Sequence, residues 1–157
     1  METMLESNSL FQVAEIQLTY RRRVTIFDSL VIHQSYDAFK IFSSCWNPGT
    51  IGLFEESKIL LLNRANKVLG VVNVSSGGLT GTIADIRLIF AAALKGSASF
   101  VILAHNHPSA NLTPSQADLS LTQKIAEAGK LLDIRVLDHI ILSPEGTYKS
   151  LADEGLM

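Results

Sequence analysis

The sequence predicts a single α/β (α+β) domain, a mixed β-sheet flanked by helices, and three observations lead there. The 157-residue chain is long enough for one well-formed core and short for two. Two continuous apolar runs, Ile59-Leu60-Leu61-Leu62 and Phe100-Val101-Ile102-Leu103, have the length and composition of strands covered on both faces. Helical spacing follows each of them, over residues 85–94 and again after Pro114.

The elements can be justified in order. Residues 1–10 are polar and read as loose, and Val13 to Tyr20 alternates like a half-exposed strand. Arg21-Arg22-Arg23 then reads as a solvated turn in preference to a phosphate contact. Ser35 or Asp37 is placed to cap a helix carrying Ala38, Phe39, Ile41 and Phe42, which Asn47-Pro48-Gly49 would end. His33 and Cys45 stand isolated and read as structural. The Ile59–Leu62 strand, the turn Asn63 to Lys67 and a return over Val68 to Val74 make a hairpin. Ser75, Ser76, Gly77, Gly78 and Gly81 read as a loop, since no phosphate-cradling glycine motif is present. Asp85 to Leu94 places Ile86, Ile89, Phe90, Ala93 and Leu94 on one side of a helix, with Gly96 at its C-terminal cap.

Composition bounds the function. A hydrophobic fraction of 47% with 18% charged residues describes an ordinary globular chain, and a net charge of −2 argues against a generally basic, nucleic-acid-coating surface. The single cysteine, Cys45, excludes an intramolecular disulfide and a cysteine-based zinc cluster, and fits a reducing compartment. The first residues lack a secretory leader's basic and apolar regions, and no apolar run is long enough to span a membrane, so a cytoplasmic location is expected.

Chemistry concentrates in residues 104–118. The Phe100–Leu103 strand runs straight into His105-Asn106-His107-Pro108. In extended chain His105 and His107 point to the same side and Asn106 away, and Pro108 ends the ladder where the imidazoles are presented. Thr113 is expected to cap the next helix, with Pro114 at its first position and Gln116 completing a capping box. Asp118, Leu121, Ile125, Ala128 and Leu132 then follow its buried stripe. A carboxylate on such a stripe is costly unless a cation or hydrogen bonds compensate it. His105, His107 and Asp118 form a mixed ligand set with nothing nearby to supply a fourth, the pattern of a catalytic zinc site. Iron or manganese would also accept two imidazoles and a carboxylate.

The pattern H-x-H-P-x6-S-x2-D, carried by His105, His107, Pro108, Ser115 and Asp118, resembles the JAB/MPN+ (JAMM) metalloprotease signature, and more narrowly its RadC-like branch. The resemblance spans about residues 55–156 and includes Leu61-Leu62-Asn63, Ala91-Ala92-Ala93-Leu94 and Leu137-Asp138-His139-Ile140-Ile141. It implies the cytidine-deaminase-like JAB/MPN fold over residues 51–157, with 1–50 as an N-terminal strand and helix extension packed on it. It implies about one Zn2+ per chain on His105, His107 and Asp118, with Ser115 stabilising an oxyanion and an early-strand glutamate as general base. Glu55 is favoured over Glu56 for that base; adjacent strand residues face opposite ways, so only one can reach the metal. The implied reaction is hydrolysis of an amide or isopeptide bond in a peptide substrate. A DNA-repair association of the branch makes DNA a second, weaker partner.

Two departures from the branch stand out. Ala110 replaces the usual glycine, so the loop should have less access to positive φ. The helix-hairpin-helix region that precedes the domain in longer relatives is not expected in the first 50 residues. His139, beside Asp138, is a candidate partner for the ligand imidazoles, with a purely structural strand histidine the plainer reading. A nucleoside deaminase would need a P-C-x-x-C motif, which one cysteine excludes. A metal-holding module without turnover is disfavoured because every ligand position is filled.

Overall fold

A computed structural model of the protein describes residues 30–76 and 84–157. The expected Val13–Tyr20 strand, the arginine run and the glycines at 77, 78 and 81 lie outside the described residues. Within them the order is α1 (Ser35–Cys45), β1 (Glu56–Leu62), β2 (Val68–Ser76), α2 (Ile86–Lys95), β3 (Phe100–Asn106), α3 (Gln116–Leu131), β4 (Arg135–Leu142) and β5 (Tyr148–Ser150). The strands form one mixed sheet in the order β2-β1-β3-β4-β5, as the sequence predicts in class. β3 and β4 are parallel, joined by α3, and the other pairs are antiparallel.

The sheet is covered on both faces. Ile59, Leu61, Val101 and Leu103 pack with Ile89, Phe90 and Ala93 of α2 and Ile125 of α3. Their strand neighbours Leu60, Leu62, Ile102, Ala104, Ile140 and Leu142 pack with Ala38, Ile41 and Phe42 of α1. Period-2 alternation thus feeds two cores from one set of strands, which is why β1 and β3 read as unbroken apolar runs.

Several local expectations need correcting. At α1 the cap position is Gln34; Asp37 lies one turn inside, where its Oδ2 accepts from the backbone N–H of His33 at 3.1 Å and of Gln34 at 3.3 Å. β2 runs through Ser75 and Ser76, because these pair with Ser57 and Glu56. Leu94 is 56% exposed; it falls at the edge of an apolar stripe centred on Ile89 and Ala93. Gly96 caps α2 as expected, yet the left-handed residue is Ser97 at φ 53°. A Cβ at Gly96 would come within 3.0 Å of the Leu61 side chain, so packing accounts for the glycine. At Gly129 a Cβ would lie 2.2 Å from the Ile134 carbonyl, which is what lets α3 turn tightly into β4.

α3 also starts differently. Its N-cap is Ser115, with Asp118 as the reciprocal partner, in place of Thr113 and Gln116. Residues 111–115 lie outside the helix, and Thr113 donates its N–H to Asn111 Oδ1 instead. Leu132 is 43% exposed because the last turn ends one residue before it.

Candidate metal centre

β3 carries His105 to the rim of the sheet, and the chain leaves the ladder at His107, whose N–H still donates to Leu142 O at 2.9 Å. The turn His107-Pro108-Ser109-Ala110 closes with Ala110 N–H on His107 O at 3.0 Å. Ala110 sits at φ 63°, so the expectation of restricted positive φ is overturned. The turn imposes this conformation on an alanine at a cost of about 1 kcal/mol. α3 then presents Asp118 from its first turn. Asp118 Oδ2 accepts from Ser115 N–H at 2.7 Å, and Ser115 Oγ accepts from Asp118 N–H at 3.1 Å. This capping box holds the carboxylate at the helix start and leaves the Ser115 hydroxyl proton available to donate.

The three candidate ligands meet. His105 Nε2 and His107 Nε2 are 2.9 Å apart, Asp118 Oδ1 is 3.5 Å from the first and Oδ2 3.6 Å from the second. One ligand atom from each lies within 4.8 Å of the others, and among the described residues this is the one such cluster of three or more. Zinc bonds of about 2.0–2.1 Å in a tetrahedron set ligand atoms roughly 3.3 Å apart, close to this spacing. His107 Nδ1 lies 2.6 Å from Asn111 O and must donate to it, so in the neutral ring Nε2 is the acceptor. A lone pair and a carboxylate converging on one point need a proton or a cation between them. The donor set therefore fits a divalent metal.

The electrostatics agree. Burial by itself would raise the Asp118 carboxyl, but the His105 and His107 imidazoles facing it overcome this and hold Asp118 far below the usual carboxylate range. The Asp118 carboxylate in turn raises His107 against its burial, with further help from the Asn111 carbonyl and the charge of Glu55. His139, fully enclosed, is pushed well below the ordinary imidazole range by burial and by the neighbouring His105.

Glu55 and Glu56 diverge, as adjacent residues entering a strand must. Glu55 lines the cleft beside His105, Asp118, Ser57 and His139. Glu56 Oε2 accepts from Thr50 Oγ1 at 3.2 Å instead. Sequence reasoning missed what places them. Asn106, fully buried, turns to the face opposite the two histidines. Its Oδ1 accepts from Glu56 N–H at 2.7 Å, and its Nδ2 donates to Ile51 O at 2.6 Å and Phe54 O at 2.9 Å. The segment bearing Glu55 is thereby pinned to the strand bearing the ligands. The available signal was an amide between two histidines on a strand about to end.

His139 is more than a strand histidine. Its Nε2 lies 2.7 Å from His105 Nδ1, and its Nδ1 lies 2.5 Å from Thr122 Oγ1. Asp138 faces the other way, its carboxylate accepting from Ser150 Oγ and from the N–H groups of His139 and Ala152.

Comparison with known proteins follows the same lines. The model of the RadC-like JAB domain family matches residues 32–156. A UPF0758 protein of Flavobacterium johnsoniae is 42% identical over 154 residues, covering 96% of this chain and 65% of its own length. A UPF0758 protein of Porphyromonas gingivalis is 48% identical over 103 residues, 66% of this chain and 45% of that protein. One from Thermosynechococcus vestitus is 48% identical over 99 residues, 63% of this chain and 39% of its own. The chain thus spans less than two thirds of the length of these curated relatives. Among the described residues no helix is long and apolar enough to cross a membrane.

Proposed function

We propose a metal-dependent hydrolase, on the premise that this chain belongs to the RadC-like JAB domain family. The substrate is an amide or isopeptide bond, the metal is zinc, and the observation that carries the reading is the convergence of His105, His107 and Asp118 on one point. When bound, the metal would polarise the scissile carbonyl and lower the pKa of water to about 7.

The chain's own groups supply the rest. His105 and His107 offer Nε2 and Asp118 its carboxylate, each held from behind by hydrogen bonds that fix its direction. Glu55, at the mouth of the same cleft, takes a proton from the attacking water on its carboxylate and delivers it to the leaving amine nitrogen. The Ser115 hydroxyl, whose oxygen already accepts from Asp118 N–H, donates its proton toward the developing oxyanion. Ile59, Ile89, Leu103, Leu121 and Ile125 wall the cleft with apolar surface that keeps bulk water from competing. A net charge of −2 gives nucleic acid no general attraction, so a peptide substrate is preferred over DNA.

The test is elemental analysis of the purified chain alongside Glu55→Ala and Glu56→Ala, each assayed on a panel of peptide and isopeptide substrates. About one zinc per chain is expected in all three, with turnover lost in Glu55→Ala and kept in Glu56→Ala. Hydrolysis undiminished in Glu55→Ala would remove Glu55 as the base. A wild type without stoichiometric metal would overturn the hydrolase.

A further inference from the structure

A metal centre built on two imidazoles requires each ring to offer the correct nitrogen, and a neutral imidazole does not decide this alone. Either nitrogen can carry the single proton, so a partner must fix which one. For His107 the Asn111 carbonyl does so. His105 has no such acceptor; its Nδ1 meets a second imidazole, His139 Nε2, at 2.7 Å. Two neutral rings facing each other leave the proton undecided unless the second is fixed from behind.

Thr122 provides the anchor. Its Oγ1 lies 2.6 Å from the backbone carbonyl of Asp118, which can only accept, so the one hydroxyl proton points there. Thr122 Oγ1 must therefore accept from His139 Nδ1–H. With its proton on Nδ1, His139 presents a bare Nε2, which accepts from His105 Nδ1–H. His105 Nε2 is left as a lone pair, 2.9 Å from His107 Nε2 and 3.5 Å from Asp118 Oδ1. The series is a closed ring: it begins at the main chain of Asp118, crosses from α3 to β4 to β3, and returns to the side chain of Asp118.

We propose that His139 and Thr122 are positioning residues through which the Asp118 carbonyl sets the tautomer of His105, and so the nitrogen His105 offers to the metal. His139 and Thr122 are both buried, at 5% and 2% exposure. The ring also ties the helix that supplies Asp118 to the strand that supplies His105, so their separation is held before any ion arrives. This inference rests on the hydrolase reading only for its purpose; the proton order belongs to the metal-free fold and can be tested there.

The test uses the full chain and three variants. His139→Phe keeps the ring volume and removes both nitrogens; His139→Gln restores an acceptor toward His105; Thr122→Val keeps shape and removes the hydroxyl. Zn2+ affinity is measured by chelator competition, Co2+ absorption spectra report ligand geometry, and thermal melts of metal-free protein report folding. Loss of such an outer partner typically weakens metal binding about 10–100-fold, the drop expected for His139→Phe, with Thr122→Val falling less and His139→Gln recovering most of it. Nitrogen-15 spectra of the metal-free wild type should place the His105 proton on Nδ1. Wild-type affinity in both His139→Phe and Thr122→Val, or a His105 proton on Nε2, would overturn the assignment. If His139→Phe fails to fold, Thr122→Val and the wild-type spectrum decide. A wild type that takes up no zinc defeats the hydrolase reading, while the His105 spectrum still rules on the relay.

Discussion

His105 and Asn106 are neighbours on β3, and Asp138 and His139 are neighbours on β4, yet the members of each pair serve opposite faces of the sheet. On the face covered by α1, Asn106 is satisfied by three backbone groups, and Asp138 by a hydroxyl and two N–H groups. Lys58, on that face too, donates to Asn73 Oδ1 at 2.6 Å and lies over the Trp46 ring. Each of these groups is discharged locally. On the face covered by α2 and α3, His105, His107, His139, Thr122 and Asp118 form one connected set whose last lone pairs are aimed at a common point. Buried polar groups thus divide into those satisfied within the protein and those whose last lone pairs are left for something else.

The sharpest way to break that comparison is to cut one group from each face. Asp118→Ala or His107→Ala should reduce metal content from about one per chain to near zero, a change elemental analysis reads directly. Equal metal in wild type and His107→Ala would mean the connected set ends nowhere.

Asn106→Ala should do the reverse. Three backbone groups lose a buried partner at about 1–3 kcal/mol each, so denaturant unfolding should show a loss on the order of 4 kcal/mol. Wherever the variant still folds it should take up metal, with Glu55-dependent turnover impaired because the segment bearing Glu55 is no longer pinned.

Acidity sharpens the contrast. The folded state raises His107, so in metal-free protein its stabilising contribution is complete below its ordinary value of 6.5 and fades as pH rises through the raised one. Proton and metal compete for the same nitrogen, so zinc affinity should climb by up to about tenfold per pH unit while His107 remains protonated, then level off. Affinity flat across neutral pH would show that no proton is displaced there.

Asp138 should respond over a lower range. Burial raises its carboxyl above 3.8 despite hydrogen bonds from Ser150 and the backbone, so its contribution is present below 3.8 and lost as pH rises through the raised value. Asp138→Asn keeps the side-chain shape and one acceptor oxygen for the His139 and Ala152 N–H groups, turns the other position into a donor toward Ser150 Oγ, and should stay within about 1 kcal/mol of wild type at neutral pH. Wild type should gain on it as pH falls through the raised value toward 3.8 and level off below, as paired melts can test. The smallest effect is expected at Ala110, where Ala110→Gly relieves the left-handed backbone and should stabilise by about 0.5–1 kcal/mol without altering metal affinity.

Much of this was legible along the chain. Apolar runs of strand length, helical spacing over 85–94 and the H-x-H-P-x6-S-x2-D series depend on local periodicity and on residue type, and local rules read both. So the sequence by itself determined the class of sheet, the candidate ligands, and that Glu55 and Glu56 must face apart. Only the tertiary structure decided which of them enters the cleft, because Asn106 fastens residues 51–56 from fifty positions away. Likewise it alone joined His139 to His105 and Thr122, since three elements distant in sequence must pack before one proton has a single place to go. Side-chain type and period are properties of a short segment, whereas the direction of a hydrogen bond is set by whatever the rest of the fold places at its other end.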